Sequence, residues 1–367
     1  MSFQWKKWIV NRLIKYLCVM EKTRPNIRAV EVVEIERFIA KMEEKPFRVK
    51  QIVEWLWQKH AHSFDEMTNL SLDLRKKLVE HFTLPALSID TTQMSSDGTF
   101  KTRFRTFDDH MIEGVLIPTT LRKTACVSSQ IGCSLSCKFC ATGYMERSRN
   151  LNFDEIYDQV VMIKQQVEKT YDQNLSNIVF MGMGEPLLNY KNVLKAIEKI
   201  TSPEGLGMSP RRITVSTAGV AKQIKQLGDD QVKFKLALSL HAANDKKRNE
   251  IMPINESNNI ESLIEALNYF YKKTGNEITF EYILFKDFND SEKDAMELVK
   301  IYRQVPADLI NVIEYNAIDR FPFDKPDEDG FETFVEILQK NRVNVRVRRS
   351  RGKDIDAACG QLANKDN

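Results

Sequence analysis

Four of the six cysteines in this 367-residue chain lie within fifteen positions, in the stretch CVSSQIGCSLSCKFCATG of residues 126–143. Cys133, Cys137 and Cys140 have the spacing C-x3-C-x2-C, and Cys126 stands seven residues upstream of them. Thiolates spaced in this way can surround one small inorganic centre. The sequence therefore predicts either one site with four ligands or two separate thiol functions.

Two kinds of inorganic centre fit these cysteines. A structural zinc site usually has four protein ligands, and Cys126 is available as the fourth, but the stretch holds one C-x2-C pair and no nearby histidine. An iron–sulfur cluster is held by cysteine thiolates, normally four for a cluster of four irons. Three closely spaced cysteines would leave one iron open for chemistry. Spacing and position favour the cluster, and zinc is the alternative.

The second part of the chain alternates strands with helices. Two strand-like runs, TFKTRFRTF and HMIEGVLIP, come first, and from residue 124 strands are predicted near TACVSS, SNIVFMG, RRITVST, KFKLALSLH, EITFEYILF, LINVIEY and NVRVRRS, with helical stretches between them. Repeated β-then-α units predict an α/β fold with a parallel sheet covered by helices. About six such units predict a partial barrel. Its active site should then lie directly after the strands, at their C-terminal ends.

The first part of the chain is predicted to be helical. VEVVEIERFIAKM, RVKQIVEWLWQKH and LDLRKKLVEHF carry apolar residues at helical spacing, which predicts a small helical accessory domain over residues 29–88. Residues 1–28 are predicted as a basic amphipathic extension, with Met20 an alternative start. The predicted remainder is a linker with β structure at 89–123, the partial barrel at 124–363 and a tail at 364–367.

Composition and charge narrow the class of protein. Apolar residues make up 42% and charged residues 29% of the chain, as in soluble globular proteins. Clustered cysteines do not fit a secreted disulfide framework, and no stretch is apolar enough to span a bilayer, so we expect a cytoplasmic protein without a membrane partner. Positive charge is concentrated in residues 1–30 and 341–353, which indicates a polyanion such as nucleic acid or simply solvated basic ends.

Six motifs, in order, resemble those of a known family. CVSSQIGCSLSCKFCATG, FMGMGEPLLNY, SPRRITVSTAGV, ALSLHA, IMPIN and DIDAACGQL resemble the RlmN family of radical S-adenosylmethionine RNA adenine methyltransferases. The antibiotic-resistance relative Cfr shares most of these patterns. The resemblance covers roughly residues 29–363 and implies a partial radical-SAM barrel. It also implies methylation of adenine C2 in 23S rRNA and in tRNA beside the anticodon, with Cfr-like methylation of C8 as the alternative.

The resemblance assigns a cofactor to the cysteine stretch. It implies that Cys133, Cys137 and Cys140 hold a 4Fe-4S cluster whose open iron binds S-adenosylmethionine, of which two molecules are used per turnover. The residues implied to contact this cofactor are Gly184, Glu185, Ser216, Ser239, Leu240, His241 and Asn316. Each of these alone would be an ordinary turn or strand-end residue, but together they follow the predicted strands.

The resemblance also implies three catalytic residues. Cys359 would carry the methyl group, Cys126 would be its partner thiol, and Glu113 would be a proton acceptor, with a structural salt bridge as its alternative role. Adenine C2 is electron-poor, whereas a cysteine thiolate is a good nucleophile that can take the methyl group first. A 5′-deoxyadenosyl radical would then activate the S-methyl group for addition to adenine. Attack by Cys126 on the Cys359 sulfur would release methyladenine and leave a disulfide.

The remaining expectations concern partners. The resemblance implies a one-electron donor such as flavodoxin or ferredoxin, and we expect a monomer. A zinc-containing RNA-binding module without catalysis is the alternative from another class of protein. The residues expected to bind the RNA backbone are Arg346, Arg348, Arg349, Arg351 and Lys353, and the resemblance implies that the accessory domain at 29–88 aids RNA recognition.

Overall fold

The computed structural model describes residues 24–365, which form two compact units. The first unit contains residues 24–86 and 202–207, and the second contains 87–201 and 208–365. The predicted amphipathic extension, except for its last five residues, lies outside the described residues, and so do Met20 and the last two residues of the predicted tail.

The first unit is helical, as predicted. Its helices are Val32–Lys41 (α1), Phe47–Trp57 (α2) and Leu72–His81 (α3). Each helix buries an apolar face with helical spacing, such as Ile52 and Leu56 of α2. The side chain of Ser71 accepts a hydrogen bond from the Leu74 N–H and so caps the start of α3.

The second unit is built on a ten-stranded sheet. Its strands are Ser88–Met94 (β1), Phe100–Arg105 (β2), Met111–Pro118 (β3), Lys123–Cys126 (β4), Asn177–Phe180 (β7), Ile213–Thr217 (β8), Lys235–Ser239 (β9), Ile278–Leu284 (β10), Leu309–Glu314 (β11) and Val345–Arg348 (β12). They lie in the sheet in this same order. Gln130–Ile131 (β5) and Arg149–Asn150 (β6) form a separate antiparallel pair. Strands β1 to β4 pair antiparallel, and β4 with β7 to β12 pair in parallel.

Helices connect the parallel strands. They are Phe153–Tyr171 (α4), Tyr190–Thr201 (α5), Ala221–Asp229 (α6), Asp245–Ile251 (α7), Ile260–Thr274 (α8), Glu292–Gln304 (α9) and Glu328–Lys340 (α10). A capping box formed by Asn152 and Glu155 fixes the start of α4. The predicted α/β fold with a parallel sheet is confirmed, whereas the short helix α7 and the first strand β1 were not predicted.

The parallel arrangement brings the C-terminal ends of seven strands to one edge of the sheet. Strand β10 is buried at all seven of its positions, as expected for a strand covered on both faces. Cys126, Ser239 and Arg348 are the last residues of β4, β9 and β12. Among the helices in residues 24–365, none has an apolar run long enough to cross a bilayer.

Candidate active site

Three cysteines share one cavity at the C-terminal edge of the sheet. Cys133, Cys137 and Cys140 lie on the loop that follows β5, and each lines a cavity with a volume of about 150 Å³. The loop closes tightly because Gly143 lies against it: a Cβ there would be 2.6 Å from the Cys137 carbonyl oxygen. Glycine is therefore required in the ATG sequence that follows the cysteines.

The chemistry of these thiols fits a cationic centre. Burial, together with the charges of the neighbouring cysteines, raises the pKa of Cys133 to about 11 and that of Cys137 well above its usual value. Burial also raises the pKa of Cys140. Thiolates in such a place need a positive partner, and metal binding would supply it while releasing protons. Three sulfurs lining one cavity fit an iron–sulfur cluster.

Cys126 does not line this cavity. It lines a neighbouring one, so the arrangement differs from the single four-cysteine zinc site considered above. Within the described part of the chain, no three His, Cys, Asp or Glu side chains are arranged to hold a single metal ion. A cluster of several irons, in contrast, distributes its ligands over different metal atoms.

Residues at or just after the C-terminal ends of the parallel strands form further walls of the cysteine cavity. Gly184, Glu185, Ser216, Ser239 and His241 all line it. Gly184 has φ +90°, and a Cβ there would be 2.4 Å from the Cβ of Gln130, so only glycine fits. The buried carboxylate of Glu185 accepts hydrogen bonds from backbone N–H groups, and burial raises its pKa.

His241 is neutral and fixed in one orientation. Its Nδ1 accepts a hydrogen bond from the Ile283 N–H at 3.2 Å, which leaves the proton on Nε2. Burial lowers its pKa to about 3. The ring also packs against Phe139, which lies between Cys137 and Cys140, at a centroid distance of 4.7 Å.

Two of the predicted cofactor residues do not line the cavity. Leu240 is buried, and its N–H donates to the carbonyl of Glu281 at 3.0 Å. Asn316 donates from Nδ2 to the carbonyl oxygen of Cys359 at 3.4 Å. Both residues therefore contact the backbone of the site rather than its open space.

Cys126 and Cys359 line the second cavity together. Cys359 also lines the first cavity, and therefore lies where the two adjoin. Both cysteines are free thiols, so the disulfide expected after turnover is absent between these two described residues. Burial, and then the charge of Cys359, raises the pKa of Cys126 to about 12. The structure thus brings two distant cysteines to one place.

Arg348 lies beside this thiol pair, although the sequence suggested an RNA contact for it. Its Nη2 donates to Sγ of Cys359 at 3.5 Å, and its Nη1 donates to Oε2 of Glu281 at 3.2 Å. The charges of Cys359 and Glu281 raise the pKa of Arg348. Arg348 ends β12, so the rule that site residues lie at strand ends was the signal that would have identified it.

Most of the other basic residues near Cys359 also have protein partners. Arg349 pairs with Glu314 at 3.4 Å and with Glu328, and Lys353 pairs with Glu314. Arg351 donates to the Pro118 carbonyl at 2.6 Å. RNA binding by this run therefore stays a prediction, with Arg346, Arg349 and Lys353 as its exposed members.

Glu113 contacts the segment that carries Cys359. Its buried Oε2 accepts hydrogen bonds from the N–H groups of Ala363 at 2.9 Å and Asn364 at 3.1 Å. Its Oε1 lies 3.6 Å from Nζ of Lys101. The salt bridge considered as the alternative for Glu113 is therefore present. The carboxylate also fixes the backbone four and five positions after Cys359.

Two protein families match separate parts of the chain. Residues 25–84 match the family described as Ribosomal RNA large subunit methyltransferase N-terminal domain. Residues 127–299 match the Radical SAM superfamily. The second match includes the three cysteines of the first cavity and most of the parallel strands.

Individual proteins match almost the whole chain. A probable dual-specificity RNA methyltransferase RlmN of Christiangramia forsetii is 53% identical over 95% of this chain and 99% of its own length. Its namesake in Cytophaga hutchinsonii is 53% identical over 98% and 99%. The crystal structure of a radical SAM methyltransferase from Sphaerobacter thermophilus matches with a TM-score of 0.86 and 38% identity, over 92% of this chain and 99% of that one.

Proposed function

The chain belongs to the RlmN family of radical S-adenosylmethionine RNA methyltransferases, and from this premise we propose that it methylates C2 of adenine. The proposed substrates are 23S rRNA and tRNA at the adenine beside the anticodon. The observation that carries the proposal is the cavity shared by Cys126 and Cys359, which adjoins the cavity of three cysteines.

The first cavity is the proposed cofactor site. Cys133, Cys137 and Cys140 would hold a 4Fe-4S cluster, and the strand-end residues around them would bind S-adenosylmethionine. When bound, these groups supply a methyl group and one-electron hydrogen abstraction. We propose that two molecules of S-adenosylmethionine are used per turnover, because adenine C2 needs both kinds of chemistry. A flavodoxin or ferredoxin in the cytoplasm is the proposed electron donor.

Cys359 is the proposed methyl carrier. Its thiolate is the nucleophile, and the neighbouring guanidinium of Arg348 stabilises negative charge on its sulfur. Cys359 lines both cavities, which lets it receive a methyl group on one side and meet an adenine on the other. An adenine must leave its stack to enter the second cavity.

Cys126 is the proposed resolving thiol. Its thiolate attacks the Cys359 sulfur, a sulfur–sulfur bond forms, and the bond between that sulfur and the carbon joined to adenine breaks. The proton that Cys126 gives up on attack balances the proton taken up by the released carbon, which becomes the methyl group. A dithiol reductant then returns Cys126 and Cys359 to thiols. Burial keeps Cys126 protonated until this step, because its pKa is raised to about 12.

Glu113 is the proposed acceptor of the proton that leaves adenine C2. Its carboxylate oxygens are occupied by two backbone N–H groups and Lys101. Accepting a proton would remove the charge that strengthens these contacts. In this proposal, protonation of Glu113 therefore weakens its hydrogen bonds to the backbone of the segment that carries Cys359.

Product analysis tests the proposal. The full chain, reconstituted anaerobically with iron and sulfide, is incubated with S-adenosylmethionine, reductant and unmodified 23S rRNA or tRNA. The RNA is digested, and the nucleosides are identified by mass spectrometry. We expect 2-methyladenosine from the wild type and none from Cys359→Ala. Only 8-methyladenosine would assign the chain the Cfr-like reaction, and unmodified RNA from a cluster-loaded protein would refute the proposal.

A further inference from the structure

Arg248 is a fully buried arginine on α7, with 0% of its surface exposed. Its Nη2 donates to the carbonyl of Ala218 at 2.5 Å, its Nε to that of Leu240 at 3.1 Å, and its Nη1 to Oδ1 of Asn255 at 2.7 Å. A longer bond of 3.3 Å joins Nη2 to the Ser239 carbonyl. Among the described residues, every hydrogen-bond acceptor of this guanidinium is neutral.

Such a buried charge is expensive without an opposite charge. Burial lowers the pKa of Arg248 to about 10, and the foremost influence in the opposite direction is the charge of Cys137, followed by Asp245. Arg348, which lines the cavity, differs because its guanidinium is paired with Glu281. Asp245 is linked to Arg248 through Asn255, whose Nδ2 donates to Oδ1 of Asp245 at 2.8 Å. On its other side the guanidinium bonds the carbonyls of Ala218 and Ser239, two residues that line the cysteine cavity.

The backbone holds Arg248 against that site. Helix α7 ends at Ile251, whose carbonyl accepts a hydrogen bond at 3.0 Å from the N–H of Lys138, the residue after Cys137. Gly219 closes the other side: it has φ +106°, and a Cβ there would be 3.2 Å from Nη2 of Arg248. The guanidinium is thus joined to the cysteine loop through its helix and to the strand ends of β8 and β9 directly.

The charges that line the cysteine cavity belong to other residues. They belong to the carboxyl groups of Glu185 and Glu281, while His241 is neutral and Arg348 is paired. A cluster held by three thiolates adds further negative charge. The reduction potential of such a cluster depends on the net charge and hydrogen bonds around it. A fixed cation nearby favours the form that has gained an electron.

We propose that Arg248 is the internal counter-cation of the cysteine site, and that its fixed charge makes the reduction potential of the bound iron–sulfur cluster less negative. This inference rests on the proposed function, since it requires a cluster on Cys133, Cys137 and Cys140. Arg248 acts as a positioning residue as well, because its hydrogen bonds hold the strand ends that line the cofactor cavity.

The test compares two substitutions that differ in charge. Arg248→Lys keeps the positive charge and loses the planar guanidinium group, whereas Arg248→Met loses both. Arg212→Met is a control at an exposed position in the same unit. Iron content and the cluster midpoint potential, from a redox titration followed by electron paramagnetic resonance, are measured without S-adenosylmethionine or RNA. We expect a more negative potential in Arg248→Met and values near wild type in Arg248→Lys and Arg212→Met.

The outcomes separate this inference from the proposed function. A wild-type potential in Arg248→Met, or equal shifts in the Lys and Met variants, would overturn the role of the charge. If Arg248→Met holds no iron, the result for Arg248→Lys decides. A cluster in Arg248→Lys with a potential near the wild-type value supports the proposal. Loss of the cluster in Arg248→Lys overturns it and shows that the planar hydrogen-bonding geometry of the guanidinium matters instead of its charge. A wild-type chain that binds no cluster would instead refute the proposed function, and this inference with it.

Discussion

The guanidinium of Arg348 donates a hydrogen bond to Sγ of Cys359 at 3.5 Å. The two residues are eleven positions apart in the chain, and Glu281, on strand β10, accepts a second hydrogen bond from the same guanidinium. A cation is thus fixed beside the sulfur that is proposed to carry the methyl group. This relationship makes the first step of the proposed reaction depend on Arg348.

Replacing Arg348 with Met should slow methylation of Cys359. Hydrogen bonds to charged groups contribute about 1.5–3 kcal/mol, which corresponds to roughly a ten- to hundredfold lower rate. Methyl incorporation into the Cys359 peptide, measured by mass spectrometry in a single turnover, checks this. Arg346→Met changes an exposed arginine of the same strand and should keep the wild-type rate. Equal rates in both variants would show that Arg348 has no part in the step.

Replacing Glu113 with Gln should loosen the segment after Cys359. The charge-assisted bonds to the Ala363 and Asn364 N–H groups weaken, and the buried ammonium of Lys101 loses its partner. Hydrogen exchange of the two amides should become faster, by roughly tenfold or more for about 1.4 kcal/mol lost. Glu332→Gln, at an exposed position, is the matched control. Unchanged exchange in Glu113→Gln would contradict the contact.

Replacing Gly184 with Ala should destabilise the second unit strongly. Alanine at φ +90° is strained, and its Cβ would lie 2.4 Å from Gln130. Gly275→Ala is the control, because Gly275 has φ +64° with nothing within 4 Å of the added Cβ, so strain alone applies, at about 1–2 kcal/mol. Free energies of unfolding from denaturant titrations should fall further for Gly184→Ala. A smaller loss than in Gly275→Ala would contradict the close approach.

His241 should make the metal-free protein less stable as the pH falls. Burial lowers its folded pKa to about 3 from an ordinary 6.5, so the unfolded chain binds the proton first. The contribution of His241 to the free energy of unfolding is fully present above pH 6.5 and declines between pH 6.5 and 3. At pH 5 the loss is about 2 kcal/mol. In His241→Asn the amide oxygen can still accept a hydrogen bond from the Ile283 N–H. The free energy of unfolding of this variant should therefore fall correspondingly less between pH 7 and 5 than that of the wild type. The control His62→Asn changes an exposed histidine and should lose as much stability between pH 7 and 5 as the wild type. An equal loss in His241→Asn would show that His241 is not buried and neutral.

Local patterns predicted much of the fold. The alternation of apolar strands and amphipathic helices after residue 124 was sufficient for the parallel sheet, because each unit is defined by residues close together in the chain. Strand β1, SIDTTQM, was missed because its positions are mostly exposed and it has no alternating apolar pattern. Helix α7 was missed because seven residues are too few for a visible period.

The site was less predictable where it depends on distant contacts. The rule about strand ends brought Ser216, Ser239 and His241 to the cavity. No spacing in the sequence indicated that the Glu113 carboxylate would bind the backbone of Ala363, 250 positions away, or that Arg348 would turn inward. Such contacts are created by the order of strands in the sheet, which local propensity does not specify.

The most direct test of the two-thiol reaction is the fate of RNA in Cys126→Ala. This variant keeps Cys133, Cys137, Cys140 and Cys359, so we expect it to bind about as much iron as the wild type and to join its substrate. Without the resolving thiol, protein covalently linked to RNA should accumulate. Denaturing electrophoresis, followed by mass spectrometry of the nuclease-trimmed Cys359 peptide, measures the adduct. Accumulation of this adduct is the predicted result, whereas normal release of methylated RNA by Cys126→Ala would contradict the account.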